Sequence, residues 1–172
     1  INDKDQLYSE NFSCPNHPEV VFPEIVPRLF SFNAPFGACE SCNGIGMTLE
    51  VDENKLIIDE NLSINEGGIY VACAASKKGW SWELFSSMAT ANKIDMDKPV
   101  KKLTAKERDI IFNGTDEKFK FKYSGDAFSY NGLKDYEGIV KNLERRYYET
   151  ASESMKEEIE AKYMIEKTCK TC

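Results

Sequence analysis

Two Cys-x-x-Cys pairs, Cys39/Cys42 and Cys169/Cys172, restrict this chain more than any other feature. Two thiolates held three positions apart grip one metal ion from a tight turn. A tetrahedral Zn²⁺ asks for four ligands, so one pair alone leaves the shell half filled. The run Cys39-Glu40-Ser41-Cys42-Asn43-Gly44-Ile45-Gly46 also carries the glycines that let such a knuckle curl and bring backbone N–H groups to sulfur. A redox Cys-x-x-Cys normally follows a strand and opens a helix, and Pro35-Phe36-Gly37-Ala38 does not read as a strand. The even total of six cysteines would suit disulfides in a secreted chain, but Ile1-Asn2-Asp3-Lys4-Asp5 has neither the basic nor the apolar part of a secretory signal. The spacing therefore reads as structural zinc.

A third pair, Cys14-Pro15-Asn16-His17, has the same gap with histidine as its second member, and His17 is the only histidine. Two arrangements follow from spacing alone. Cys14, His17, Cys39 and Cys42 can form a local finger. Alternatively Cys39/Cys42 pair with Cys169/Cys172, and Cys14/His17 stand as a second, incomplete site. Cys73, in Tyr70-Val71-Ala72-Cys73, has no neighbouring ligand and reads as a small buried residue.

The net charge of −7 argues against strong independent affinity for nucleic acid, which requires a basic footprint. Any contact with DNA must come from a local patch, for which Lys118, Lys120, Lys122, Arg145 and Arg146 are the candidates. No G-x-x-x-x-G-K-[ST] loop and no convincing carboxylate pair occurs, so no catalysis is expected of this chain. No apolar run reaches the ~18 residues needed to span a bilayer. There is no initiator Met, and Cys172 ends inside a knuckle, so a piece of a longer protein is expected.

Composition changes near residue 50. Residues 1–50, rich in Pro, Cys, Asn and Gly, read as a zinc-binding segment of loops and short strands. Residues 51–166 read as one compact α+β domain, and 167–172 as the second knuckle. A helix is expected over 82–92, with Trp82, Leu84, Phe85, Met88 and Ala89 on its apolar side. Thr104 and Glu107 form a capping box opening 106–112, with Gly114 as the stop. Lys118-Phe119-Lys120-Phe121-Lys122-Tyr123 alternates strictly, and after Ser124-Gly125-Asp126 the alternation resumes at Phe128 and Tyr130, predicting a hairpin. Tyr136, Ile139, Val140, Leu143 and Tyr147 recur at helical spacing. Ser154 with Glu157 predicts a cap for a last helix over 155–167, bearing Ile159 and Tyr163.

The stretches Pro27-Arg-Leu-Phe-Ser-Phe-Asn-Ala-Pro-Phe-Gly-Ala-Cys-Glu-Ser-Cys-Asn-Gly-Ile-Gly46, Tyr136-Glu-Gly-Ile-Val-Lys-Asn-Leu-Glu-Arg-Arg-Tyr147 and Thr168-Cys169-Lys-Thr-Cys172 resemble those of one known family, UvrA. Residues 51–115 match less distinctly. The resemblance implies an ABC-type ATPase parent with a zinc module in each half, interrupted in the first half by an insertion domain. Cys39, Cys42, Cys169 and Cys172 would then form one zinc module, with the insertion domain between the knuckles. Cys14 and His17 would match a different family pair whose partners lie upstream, with His17 where that family often has cysteine.

The parent would be a homodimer that binds ATP and Mg²⁺ outside this chain. It would scan damaged double-stranded DNA, load UvrB in an excision nuclease, and work in the bacterial cytoplasm as part of the SOS response. Two other classes compete. A DnaJ-like zinc chaperone module would repeat the knuckle at short intervals, and a thiol oxidoreductase would need an exposed, acidic cysteine.

Overall fold

A computed structural model gives the fold and describes residues 13–14, 17–21, 25–31, 37–72 and 76–172. The chain divides into two compact units. One holds the described residues up to Thr48 together with Lys167–Cys172, and the other is Leu49–Glu166.

In the first unit, strands β1 (Ser13–Cys14) and β2 (His17–Val21) pair antiparallel, with Cys14 opposite His17. A 3₁₀ turn at Pro27–Phe30 follows, with proline supplying the fixed φ of a first helical position. Residues 37–46 form the knuckle, and the chain leaves along β3 (Met47–Val51).

The second unit opens at Asp52. Its side chain accepts from the Asn54 N–H and caps the single turn α1 (Glu53–Leu56). The stretch 57–71 is held by backbone bonds of turns and isolated bridges, Ile57 pairing antiparallel with Ile69, and by side-chain-to-backbone bonds. The Ser63 N–H donates to Glu66 Oε2 (2.8 Å), and the Glu66 N–H donates back to Ser63 Oγ (3.2 Å). Gly68 is required there because a Cβ would stand 2.6 Å from the Leu62 carbonyl oxygen.

Helix α2 (Trp80–Ala91) begins two residues before the expected start and buries Trp82, Phe85, Met88 and Ala89 as the spacing demands; Leu84 is half-buried. Helix α3 (Ala105–Asn113) carries both reciprocal bonds of the Thr104–Glu107 capping box and ends at Gly114. Strands β4 (Thr115–Ser124) and β5 (Ser129–Tyr136) form the predicted hairpin. Phe119 and Phe121 are buried and Tyr123 half-buried on one face, while Lys118, Lys120 and Lys122 are exposed on the other. The Trp80 ring gathers Phe121, Tyr123, Phe128 and Tyr130 at centroid distances of 4.9–5.5 Å, which ties α2 to the inner face of the hairpin.

Helices α4 (Ile139–Glu149) and α5 (Glu153–Tyr163) complete the core through Ile139, Leu143 and Ile159. The end of α3 and the start of α4 meet backbone to backbone. Gly114 and Gly138 both have positive φ (91° and 89°), and a Cβ on Gly138 would lie 2.5 Å from the Phe112 carbonyl oxygen.

Three expectations are corrected. Tyr136 closes β5 instead of opening a helix; it is buried, its hydroxyl donates to the Ile111 carbonyl (3.4 Å), and burial pushes its pKa up. The last helix starts after Ser152, which makes no side-chain cap, so Ser154 and Glu157 form no capping box. It also ends at Tyr163, and residues 164–168 turn extended as β6 (Met164–Thr168), which pairs with β3. The Asp52 N–H donates to Tyr163 O and the Cys169 N–H donates to Gly46 O, so the β3 and β6 strands run antiparallel. Cys73 lies outside the described residues.

Candidate metal centre

The cluster is built from two turns of the same sequence type. The first is Cys39–Gly46. Ile45 N–H closes it on the Cys42 carbonyl (2.9 Å), and Asn43, Gly44 and Gly46 take φ of 50°, 82° and 80°. Nothing would obstruct a Cβ on Gly46, so glycine is favoured there by its φ and not by space. That curl aims the Gly46 N–H at Cys42 Sγ (3.2 Å). The second turn is Cys169–Cys172, delivered by β6 and fixed by the bond from Cys169 N–H to Gly46 O (2.9 Å).

The turns meet residue for residue. Cys39 Sγ lies 3.8 Å from Cys169 Sγ, Cys42 Sγ lies 3.6 Å from Cys172 Sγ, and the hydroxyls of Ser41 and Thr171 are 3.0 Å apart. All four sulfurs fall within 4.8 Å of one another. A tetrahedron with Zn–S bonds of ~2.3 Å has sulfur-to-sulfur edges of about 3.8 Å, so these separations fit a shared ion. A disulfide would need ~2.05 Å, and all four cysteines are free.

The electrostatics agree. Backbone N–H groups of Thr171 and Cys172 draw the Cys169 pKa down to about 6, and the Gly46 N–H lowers that of Cys42. Cys172 is pushed up to about 12, chiefly by its hydrogen bonds to Cys169 and Cys42. Bare thiols in this cluster therefore share protons. Full ionisation of all four needs a compensating cation at their centre.

Of the other expected site residues, Cys14 and His17 stand opposite each other on β1 and β2 as backbone partners, and the His17 side chain is exposed. Arg145 is held by carboxylates, with Glu137 at 2.9 Å and Glu149 at 3.0 Å. Among the described residues, the Arg146 guanidinium meets the Tyr70 hydroxyl (3.4 Å) and the Met155 sulfur (3.8 Å). Lys118, Lys120 and Lys122 are absent from the ion pairs of the described residues. The Ser41–Thr171 pair was not anticipated, although both occupy the third position of their knuckles and that match was readable.

Fold and site together define a class: an α+β domain strung between two Cys-x-x-Cys turns that close on one another in a four-cysteine cluster. The family described as the UvrA DNA-binding domain matches residues 52–161, and the chain belongs to that family. Among curated relatives, the chain is 41% identical to UvrABC system protein A of Listeria monocytogenes (strain F2365) and 38% identical to that of Bacillus subtilis (strain 168), in each case over its whole length. It spans 18% of the length of those relatives. The crystal structure of UvrA2 from Deinococcus radiodurans is similar over 83% of this chain and 18% of that one, with a TM-score of 0.61 and 25% identity.

Proposed function

We propose that the chain is the first-half zinc module and insertion domain of a DNA-damage-recognition ATPase in nucleotide excision repair. Residues 1–50 and 167–172 form the zinc-binding segments, and 51–166 form the insertion domain, which bears on damaged double-stranded DNA. Loading of UvrB, homodimerisation, ATP and Mg²⁺ binding and the SOS response belong to the parent in the bacterial cytoplasm. In keeping with that setting, no helix among the described residues is long and apolar enough to cross a membrane.

Cys39, Cys42, Cys169 and Cys172 would hold Zn²⁺. With four thiolates and no open position the ion would be structural, fixing the two knuckles against each other. Cys14 and His17 would be half of a second site.

The observation that carries the DNA reading is the lysine comb on β4. Lys118, Lys120 and Lys122 project from one exposed face at i, i+2 spacing, about 7 Å apart. Leu133 and Asn131, not carboxylates, stand opposite Lys120 and Lys122. Lys120 and Lys122, with neutral residues opposite, repel one another, and a row of phosphates would relieve that repulsion; Asp116 and Glu117 precede Lys118 in the strand and temper the charge at that end of the row. Arg146 adds a partly buried cation. Arg145, already held between Glu137 and Glu149, contributes least.

The test is duplex affinity as a function of salt for the full chain and for Lys118→Gln/Lys120→Gln/Lys122→Gln. Loss of three phosphate contacts should flatten the log–log slope by about 2–3. An unchanged slope and affinity would remove the comb from the DNA-binding surface.

A further inference from the structure

A cleft of about 430 Å³ opens in the 49–166 unit between the segment at Tyr70, helix α2 and the start of α4. It falls within the ~300–1,000 Å³ typical of small-ligand sites. Tyr70 and Trp80, both half-buried, supply aromatic wall, and Val71, Leu84 and Ile139 supply apolar surface. The polar lining is not used up by the fold. Arg146, half-buried, has five donors, but among the described residues it makes just two long contacts, both to neutral acceptors, and Glu158, which feels its charge, is taken by Lys162 at 2.8 Å. Asn142 gives its Nδ2 to Glu137 (2.7 Å), leaving its carbonyl oxygen for another donor, and Ser81 adds a hydroxyl. The one acid among the described lining residues, Glu137, is neutralised by Arg145 through two bonds.

Aromatic wall, a guanidinium without a carboxylate and a separate donor–acceptor pair are the three things a nucleotide asks for. The base needs a π-face, its edge needs hydrogen bonds, and its phosphate needs a cation. We propose that this cleft receives a single unstacked nucleotide of a DNA strand, with the base against Trp80 and Tyr70 and a phosphate at Arg146. The proposal rests on the DNA-binding reading and adds to it a preference for DNA with a base out of the stack. An unpaired nucleotide has already lost its stacking and pairing, so it enters at less cost than a paired one.

The experiment uses the full chain and two otherwise identical duplexes, one fully paired and one with a single extra nucleotide. A fluorescent adenine analogue is placed at that position in both. The bulged duplex should bind about tenfold tighter or more, with its analogue quenched by stacking. Arg146→Gln, which leaves the Trp80 ring cluster untouched, and Trp80→Leu should each bring its affinity down to that of the paired duplex. Equal affinity for the two duplexes, or a preference that survives in both variants, overturns the proposal. Binding of the paired duplex without preference sinks the cleft alone. Failure to bind either duplex sinks the DNA-binding reading and the cleft with it.

Discussion

Replacing Glu107 by glutamine removes one charge from a junction where three interactions converge. Its carboxylate accepts from Lys98 Nζ at 2.7 and 2.8 Å, and from the Thr104 N–H (2.7 Å) and hydroxyl (2.8 Å) as the closing half of the α3 capping box. These hold the Glu107 pKa at about 2, with the Lys98 bond the largest cause. A carboxyl more acidic in the folded than in the unfolded chain stabilises the fold above the unfolded value, near 4.5. That stability disappears as pH falls through about 2.

The full depression would correspond to about 3 kcal/mol. However, the Lys98 and Glu107 side chains keep 22% and 17% of their surface in water, and screening brings the expected contribution to about 1–2 kcal/mol. Urea unfolding of the parent and Glu107→Gln at pH 7, 4.5 and 2.5 measures it as a difference, so carboxylates and thiols common to both cancel. The parent should lead by about 1–2 kcal/mol at pH 7, and the lead should shrink toward zero at the lowest pH. A gap that stays constant with pH, or no gap at pH 7, would refute the assignment of this stability to the ionised carboxylate.

Two substitutions probe the packing that holds α3 against α4. Gly138→Ala puts a methyl group 2.5 Å from backbone atoms at a φ of 89°, and should cost about 3 kcal/mol or more, read as a lowered urea midpoint; a change under about 1 kcal/mol would mean the two backbones can part freely. Leu143→Ala empties a fully buried site on α4 and should cost about 2–5 kcal/mol in the same measurement, with a near-zero change showing that the helix is not packed as described.

The parts of the fold that were legible are those specified by neighbours in sequence. The alternation of Phe119, Phe121 and Tyr123 against three lysines encodes a half-buried strand by itself, and Thr104 with Glu107 is a complete local instruction to start a helix. What was missed depends on partners far along the chain. Residues 164–168 follow a Glu- and Lys-rich helix and continue its pattern, yet they extend because β3 offers a ladder more than a hundred residues away. Tyr136 sits at helical spacing from Ile139 and Val140, but Gly138 at positive φ breaks the continuity between them.

The four-cysteine cluster was half legible. The spacing of each pair pointed to a knuckle, but local spacing could not choose between Cys169/Cys172 and Cys14/His17 as the partners of Cys39/Cys42. That choice is implied by family resemblance, and the fold brings the sulfurs of Cys39, Cys42, Cys169 and Cys172 within 4.8 Å of one another. The cleft left no local trace, because Tyr70, Trp80 and Arg146 come from three separate segments.

The most direct test of a zinc-closed insertion domain is metal content per chain, measured for the unaltered protein and for Cys169→Ser/Cys172→Ser. The account predicts zinc at this site in the first and its loss in the second, since two thiolates cannot complete a tetrahedral shell. Zinc retained in full by the double variant would contradict it. It would point instead to a local finger of Cys14, His17, Cys39 and Cys42, with no metal closing the base of the domain.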